Sequence, residues 1–383
     1  MLALAWAAIL LADPWADEEV NDLFLYRSFA ALFLDGELPY RDVAFEYPPL
    51  AAPVIALPGV IGTGHDEYRL AFVALMLSLA GALVWLCAEL ARRTGGDPGR
   101  AMLAAAAAPL LTGAMIRTHF DLAPVVLLCA GLLAVAATRP RLGFLLLGLG
   151  TATKLFPAVA VPVAIAWLLG RGERRAALEG TAVFATAVAG VAVVALALSP
   201  AGFADSFEYH LDRPVQVESI PALLLLALDG LGAGTAESVN AFRSDGLEHP
   251  ASDGLVAVFA AVLVVAVAGF TWAARGSPHP RRLVLASLGA VAAFAAFGKV
   301  LSPQFLIWLI PLGALTFSWR MHALAAATAA AIVLTLVEFP SRYFELVARE
   351  PFPIAVVAVR DALIAVTVAL AWHACSSSRR SPS

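Results

Sequence analysis

Residues 122–170 read LAPVVLLCAGLLAVAATRPRLGFLLLGLGTATKLFPAVAVPVAIAWLLG. The stretch consists of three apolar runs, which cover 122–138, 142–155 and 156–170. The runs are shorter than the roughly 20 residues that an isolated helix needs to cross a bilayer, as is common where helices bury against one another or break at proline. Apolar runs separated by very short breaks are typical of a polytopic helical membrane protein, and they predict an all-α fold.

The same pattern extends over most of the chain. We predict about 12 transmembrane helices, near residues 1–12, 70–91, 101–117, 122–138, 142–155, 156–170, 177–198, 254–275, 283–299, 304–318, 322–338 and 353–373. The 383 residues are 61% hydrophobic and 14% charged, whereas a soluble domain is about 45–50% apolar and about 25% charged. This composition excludes an ordinary soluble enzyme and a disordered chain. A net charge of -4 provides no basic surface for DNA or RNA, so no nucleic-acid partner is expected.

The distribution of charge predicts how the helices are oriented. With both termini in the cytoplasm, the cytoplasmic side holds 14 cations and four acids, and the external side holds 11 cations and 25 acids. This asymmetry follows the positive-inside rule and predicts a multi-pass protein of the plasma membrane. The long polar loops then lie outside, at 13–68, 199–253 and 339–352. We expect interfacial helices at 19–34 and within 50–64, and a re-entrant or interfacial helix at 220–232.

Charged groups at the external helix ends are candidate functional residues, because charge at membrane depth is costly. Two acids are candidates: Asp22, which shares a helical face with Tyr26, and Asp121, which precedes a span. Asp22 can equally be a solvated loop acid, and Asp121 can equally cap a helix. Three cations are expected at the same level, where they could hold an anion: Lys154, Arg213 and Lys299.

Polar and aromatic side chains near these positions are candidates for contacts with a substrate. They are Tyr26, Tyr40, Glu46, Tyr47, His119, His210, Gln216, Glu218 and Gln304. For the aromatic residues of the first external loop, an interfacial belt is an equally good interpretation. Glu338 and Arg342 are expected to form a structural ion pair.

This combination of acids and cations suits group transfer from an anionic lipid donor. Cations would hold the donor phosphate and stabilise the charge that it gains on leaving, and a carboxylate would take the proton from an acceptor hydroxyl. The sequence has no P-loop or zinc motif, and its three cysteines form no ligand cluster. We predict no cofactor; a divalent metal is compatible with the sequence but not required by it.

Six motifs occur in an order that is specific as a set. They are Asp22 with Tyr26, the segment 39–50 with its Pro-Tyr and Tyr-Pro-Pro-Leu sequences, and the segments 119–121, 153–157, 212–219 and 299–304. Together they resemble the C-type glycosyltransferases of glycosyltransferase family 87, the polyprenyl-phosphate-mannose-dependent α-mannosyltransferases of actinobacteria. The resemblance extends from about residue 17 to 310.

The resemblance implies a helical bundle with its active site on the external face. It implies inverting transfer of a sugar, expected to be mannose, from a polyprenyl phosphate to a lipid or glycan hydroxyl. Asp22 matches the general base and Asp121 the second loop acid, while Lys154 and Arg213 match positions that face the donor phosphate. The chain would then comprise a seven-span catalytic module at 1–198 that contains the external loop 13–68, an external loop at 199–253, C-terminal spans at 254–375 and a disordered tail at 376–383.

Several alternatives remain open at this point. Rival candidates for the base are Asp13, Asp17, Glu18, Glu19 and Glu46. Some C-type enzymes hold a divalent metal between the two loop acids, and another sugar such as arabinofuranose could replace mannose. Outside this enzyme class, the alternatives are a non-catalytic assembly partner and a lipid or solute transporter, although the sequence lacks the repeats that a transporter would show.

Overall fold

The computed structural model of the chain describes residues 1–12 and 20–377. Eighteen α-helices follow one another in these residues: α1 (Leu2–Leu11), α2 (Leu23–Leu34), α3 (Ala51–Gly59), α4 (His65–Arg93), α5 (Pro98–Thr112), α6 (Met115–Thr118), α7 (Leu122–Ala136), α8 (Pro140–Thr153), α9 (Ala160–Gly170), α10 (Arg174–Leu198), α11 (Pro200–Asp212), α12 (Ile220–Gly230), α13 (Ser252–Ala274), α14 (Pro280–Phe297), α15 (Ile310–Ser318), α16 (His322–Glu338), α17 (Tyr343–Val347) and α18 (Pro351–Ser377). Three short strands complete the fold: β1 (Val215–Gln216), β2 (Glu237–Ala241) and β3 (Ser244–Glu248).

Every predicted span coincides with helical residues. Within the described residues, five helices, α4, α10, α13, α14 and α18, are long and apolar enough to cross a membrane. The other predicted spans coincide with shorter helices, two of which, α9 and α15, continue from a 3-10 turn. The fold is therefore that of a nearly all-helical, multi-pass membrane protein, as predicted, and the count of 12 crossings stays a prediction.

Helices α7 and α8 pack closely because glycine faces glycine between them. A Cβ atom on Gly143 would lie 2.8 Å from the carbonyl oxygen of Gly131 and 2.4 Å from the side chain of Val135. Small residues allow two helix backbones to approach in this way, and such contacts stabilise helix pairs in lipid. The close contact fixes the position of the residues that follow α8.

Two proline-containing breaks lie at one end of the bundle. After α8, a 3-10 turn at Phe156–Val159 leads into α9, and after α14 a 3-10 turn at Pro303–Leu309 leads into α15. Lys154 and Lys299 lie in the segments between helix and turn. Because a proline lacks the amide hydrogen that a continuous helix needs, the chain turns here and exposes polar backbone and side chains at the helix ends.

The arginine-rich loops meet at the opposite end of the bundle. Arg281 Nη2 donates a hydrogen bond to the carbonyl oxygen of Gly95 at 2.9 Å, and Arg171 Nη1 donates one to that of Pro278 at 3.1 Å. Helices α8 and α14 run from this end to the end where the two lysines lie. The two kinds of loop that the sequence distinguishes by charge thus lie at different ends of the same helices.

The region 199–253 is more structured than predicted. Helix α12 corresponds to the predicted helix at 220–232, but α11 and an antiparallel sheet of order β1-β3-β2 were not predicted. In the first loop, α2 and α3 correspond to the two expected helices. The rival acids Asp13, Asp17, Glu18 and Glu19 lie outside the described residues, as does 378–383 of the predicted tail, whose first two residues belong to α18.

Candidate active site

A cavity of about 740 Å³ lies at the end of the bundle that carries the two lysines. It collects residues from the first loop, from the helix breaks and from the region 199–253. Eleven of the 14 site residues predicted from the sequence line it: Asp22, Glu46, Tyr47, His119, Lys154, His210, Arg213, Gln216, Glu218, Lys299 and Gln304. The other three, Tyr26, Tyr40 and Asp121, are buried and do not line it.

Asp22 presents a carboxylate to the cavity from the N-terminal end of α2. Its side chain is 32% exposed. One helical turn later, the hydroxyl of Tyr26 donates a hydrogen bond to Asp22 Oδ2 at 2.9 Å, as the shared face predicts. Burial, together with the charge of Asp22, raises the pKa of Tyr26, so the hydroxyl keeps its proton and remains a donor. The carboxylate is therefore held in one orientation.

The imidazole of His119 faces the same carboxylate. Its Nε2 lies 3.6 Å from Asp22 Oδ2, and its Nδ1 lies 3.2 Å from the carbonyl oxygen of Met115. The Thr118 hydroxyl, 3.0 Å from Nδ1, donates to the carbonyl oxygen of Ala114. Since a carbonyl can only accept, the contact with Met115 favours a proton on Nδ1, while Nε2 faces the Asp22 carboxylate beyond hydrogen-bond distance.

Asp121 is fully buried and serves as the anchor of a cation. Its Oδ1 accepts hydrogen bonds from Lys154 Nζ at 2.7 Å and from Trp308 Nε1 at 2.6 Å. Aromatic rings surround the ammonium, whose nitrogen is 5.0 Å from the ring centre of Phe120 and 5.6 Å from that of Phe305. The Lys154 side chain is 15% exposed and lines the cavity. Asp121 thus orients Lys154 without reaching the cavity itself.

Lys299 and Arg213 add two cations to the cavity wall. Lys299 Nζ donates to the carbonyl oxygens of Leu211 and Arg213, the second at 2.8 Å, so it lies at the C-terminus of α11, where a cation is favoured. The Arg213 guanidinium lies 6.0 Å from the ring centre of Tyr209 and pairs with no carboxylate of the described residues. Its charge remains available to an anionic ligand.

Side chains of the first loop close another part of the cavity. The Tyr40 hydroxyl donates to the carbonyl oxygen of Tyr47 at 2.7 Å. His210 Nε2 lies 2.8 Å from the carbonyl oxygen of Glu46, and burial lowers the pKa of His210, so a neutral ring donates this bond. Burial raises the pKa of Glu46 although Arg243 Nη1 lies 2.9 Å from its Oε1. These bonds hold the loop in place around the site.

Gln216 and Glu218 connect the cavity to a buried charged cluster. Gln216 Nε2 donates to Glu218 Oε2 at 3.1 Å, and the Ser302 hydroxyl donates to Gln216 Oε1 at 3.2 Å. Glu218 Oε1 lies 3.4 Å from Nη1 of Arg360, and both side chains are fully buried. The lining at this point is connected by hydrogen bonds and is rich in groups that can bind hydroxyls.

The expected pairing of Glu338 with Arg342 is wrong. Glu338 is fully buried and lies 3.7 Å from Arg360, which also donates from Nε to Asp361 at 2.9 Å. Arg342 is 45% exposed and pairs with Glu345 at 3.0 Å. A buried carboxylate needs a buried cation, and the adjacent exposed arginine does not provide one.

The sequence analysis missed several residues of the site. Arg360 lies inside the predicted span 353–373, and a charge within an apolar span is itself a signal of function or pairing. Trp308 and Arg243 gave no local signal. Arg243 contacts Glu46, which is 197 residues away in the chain, so only the folded structure brings the two together.

The residues around the two loop acids offer a divalent metal few ligands. Asp121 Oδ1 already accepts from Lys154 and Trp308, so an ammonium group lies against this oxygen, and only Oδ2 is without a hydrogen-bond partner among the described residues. The described residues also contain no cluster of three or more acidic, histidine or cysteine side chains that could hold a metal ion. In this chain Lys154 provides the fixed positive charge.

A multi-pass helical bundle whose polar cavity combines a carboxylate with several cations is the arrangement expected of a membrane enzyme. Residues 45–303 match the model of glycosyltransferase family 87. Because the match covers about two thirds of the chain, the chain belongs to glycosyltransferase family 87. This confirms the resemblance inferred from the motifs, although Asp22 and Tyr26 precede the matched range and Gln304 follows it.

The chain is also similar to individual proteins. GPI mannosyltransferase 1 of Aspergillus fumigatus is 27% identical over 192 residues, which are 46% of this chain and 43% of that protein. The match therefore spans less than half of the relative's length. A crystal structure of the Archaeoglobus fulgidus oligosaccharyltransferase tethered with an acceptor peptide aligns with 100% of this chain and 55% of its own, at 14% identity and a TM-score of 0.45.

Proposed function

We propose that this membrane glycosyltransferase transfers mannose from a polyprenyl-phosphate donor to a hydroxyl of a lipid or glycan acceptor. The observation that carries the proposal is the cavity, in which the carboxylate of Asp22 and the cations Lys154, Arg213 and Lys299 face a common space. A phosphate-linked donor anchored in the bilayer matches the cations and the apolar surroundings. The name of the Aspergillus fumigatus relative supports mannose as the sugar.

The reaction is an inverting single displacement with Asp22 as general base. The acceptor oxygen attacks the anomeric carbon, its proton passes to the Asp22 carboxylate, and the bond from the anomeric carbon to the phosphate oxygen breaks with its electron pair going to the phosphate. The hydrogen bond from Tyr26 orients Asp22. His119 Nε2 faces the same carboxylate oxygen at 3.6 Å.

The phosphate of the donor binds at the cationic wall. Arg213 has a planar guanidinium with a free charge and suits two phosphate oxygens at once. Lys154 adds a second, fixed charge, while Lys299 holds the carbonyl oxygens at the end of α11 and so positions Arg213. These charges stabilise the phosphate as it becomes a leaving group. Gln216, Glu218 and Gln304, with His210 and the first-loop residues, are the proposed contacts for the sugar and acceptor.

The protein is proposed to lie in the plasma membrane with both termini in the cytoplasm and the cavity on the external face. The arginine-rich loops at the end opposite the cavity support this orientation. The polyprenyl donor and the acceptor would then meet outside, where no nucleotide-linked sugar is needed.

The decisive experiment compares the wild type with Asp22→Asn in lipid nanodiscs. Radiolabelled polyprenyl-phosphate-mannose and a membrane lipid extract are supplied, and transfer to lipid and binding of the donor are both measured. We expect Asp22→Asn to bind donor normally and to lose roughly 10²–10⁴-fold in transfer rate, the usual contribution of a general base. Transfer that survives in the variant would move the role of base to another acid.

The same assay tests the alternative sugar. If the wild type transfers nothing from polyprenyl-phosphate-mannose but transfers arabinofuranose from the corresponding donor, the mechanism stands and the sugar is corrected. Membership in family 87 favours either of these over a transporter.

A further inference from the structure

The turn between β2 and β3 has an unusual sequence for its geometry. Ala241 pairs with Ser244, so the hairpin closes through only two residues, Phe242 and Arg243. Both have positive φ angles, 53° and 51°. Two-residue turns with two positive φ angles strongly prefer Asn-Gly or similar pairs, because glycine and asparagine tolerate this conformation. Phe-Arg is therefore a strained choice for this turn.

The contacts of the turn explain why this backbone conformation is retained with Phe and Arg in it. The carbonyl oxygen of Phe242 accepts a hydrogen bond from the Tyr209 hydroxyl, and the two rings pack edge to face with centres 5.3 Å apart. Arg243 Nη1 donates to Glu46 Oε1 at 2.9 Å, and its guanidinium lies 5.7 Å from the ring centre of Phe29. The side chains of the turn thus connect the sheet to the first loop.

The guanidinium of Arg243 lines the same cavity as the phosphate-binding cations. Its side chain is 52% exposed, and its Nε and Nη2 have no acceptor among the described residues. The carboxylate of Glu46, in contrast, is only 7% exposed. A guanidinium that holds a carboxylate by one nitrogen and directs the others into a cavity can bind a phosphate in the same fork geometry.

We propose that Arg243 is a further phosphate-binding residue, which Glu46 holds at the cavity wall. The inference rests on the proposed function, because the ligand is the phosphate group of a polyprenyl-phosphate lipid. The donor phosphate shares the guanidinium with Glu46, whose negative charge offsets part of the attraction for an anion, and the strained turn keeps Arg243 at the cavity wall. Arg213 approaches the cavity from the end of α11, so the two arginines come from different elements.

The test measures binding of a polyprenyl monophosphate to the protein in nanodiscs, with the polyprenol of equal length as the ligand without phosphate. Arg243→Ala should weaken binding of the phosphate lipid about tenfold or more, as expected for a lost charge-assisted hydrogen bond, and should leave polyprenol binding unchanged. Glu46→Gln should strengthen phosphate-lipid binding by roughly two- to fivefold, because it releases a partly exposed ion pair. Arg342→Ala removes an equal charge from an exposed pair outside the cavity and is the matched control.

Arg243→Gly is a second variant that removes the guanidinium without straining the turn, because glycine is the residue that this turn position prefers. It should melt no lower than Arg243→Ala and still lose the phosphate affinity. The inference would be overturned if Arg243→Ala kept its affinity for the phosphate lipid, or if Arg243→Ala and Glu46→Gln lost affinity equally. In either case the proposed function would stand as long as the wild type binds the phosphate lipid. A wild type that prefers polyprenol to polyprenyl monophosphate would overturn both.

Discussion

Among single residues, the two loop acids differ most in their surroundings. Both precede a helix, and the sequence gives each a similar claim to a catalytic role. In the structure Asp22 is partly exposed and bonded to a tyrosine, whereas Asp121 is buried under an ammonium and an indole. A carboxylate that is buried against a cation cannot contact the substrate, but it fixes the position of the cation. We therefore expect substitutions of the two acids to affect different kinetic constants.

Asp121→Asn should raise KM for the donor about tenfold and change kcat less, because a hydrogen bond to a charged group is worth about 1.5–3 kcal/mol and Lys154 would lose its anchor. Trp308→Phe should act in the same direction, since it removes the second donor to Asp121. Steady-state kinetics with varied donor concentration provide the measurement. The control is Trp167→Phe, because Trp167 is also buried but its indole nitrogen has no hydrogen-bond partner in the part of the chain that is described. A collapse of kcat in Asp121→Asn at unchanged KM would instead assign Asp121 to the chemical step.

Removal of divalent metal should leave transfer activity unchanged. The physical reason is that Lys154 already neutralises the carboxylate that a bridging metal would need. The measurement is the initial rate after dialysis against EDTA, compared with the same sample after Mg²⁺ or Mn²⁺ is restored. A rate that falls on dialysis and recovers with metal would contradict the assignment of Lys154.

At the level of elements, most helices were predictable, including α12, whereas α11 and the small sheet within 199–253 were not. Long apolar runs such as that of α10 depend on the local sequence alone, so their positions follow from composition. The β2–β3 hairpin has no Asn-Gly signal at its turn, and its strands lack the alternating pattern that predicts a sheet. Eleven of the predicted site residues line the cavity, because polar groups at helix ends can be recognised from the sequence. Arg243 and Trp308 were missed because their partners are remote in sequence.

Helix α18 carries a charge whose loss should unfold the C-terminal part of the bundle. Arg360→Met would leave Glu218, Glu338 and Asp361 buried together without their cation. Removing one partner from a buried ion pair costs about 3–5 kcal/mol. We expect a large fall in the melting temperature, or in the yield of folded protein, measured in detergent by size-exclusion chromatography after heating.

The control for this prediction is Arg342→Met. Its pair with Glu345 is exposed and should contribute no more than about 1 kcal/mol. Equal melting temperatures for the two variants would mean that the buried acids are neutral in the folded protein and need no cation.

Over the whole molecule, the separation of charge between the two ends predicts a fixed orientation in the membrane. Thr138 is exposed in the arginine-rich loop between α7 and α8, and Ala233 is exposed between α12 and β2. In intact cells a membrane-impermeant maleimide should label Ala233→Cys, and it should label Thr138→Cys only after the cells are opened. The three native cysteines are buried and should contribute no background. The reverse labelling pattern would invert the proposed topology.

The pair formed by Lys154 and Asp121 has a consequence for how the chain enters the membrane during synthesis. The two residues are 33 positions apart. Asp121 precedes α7 and Lys154 follows α8, so both lie at the open end of the hairpin that these consecutive helices form. The two helices can therefore leave the translocon as one hairpin in which the buried acid already has its cation, so that no isolated charge is exposed to lipid. The indole of Trp308 can join the pair only after more than half of the remaining chain has been made. The ion pair can therefore form before all the residues that line the cavity have been synthesised.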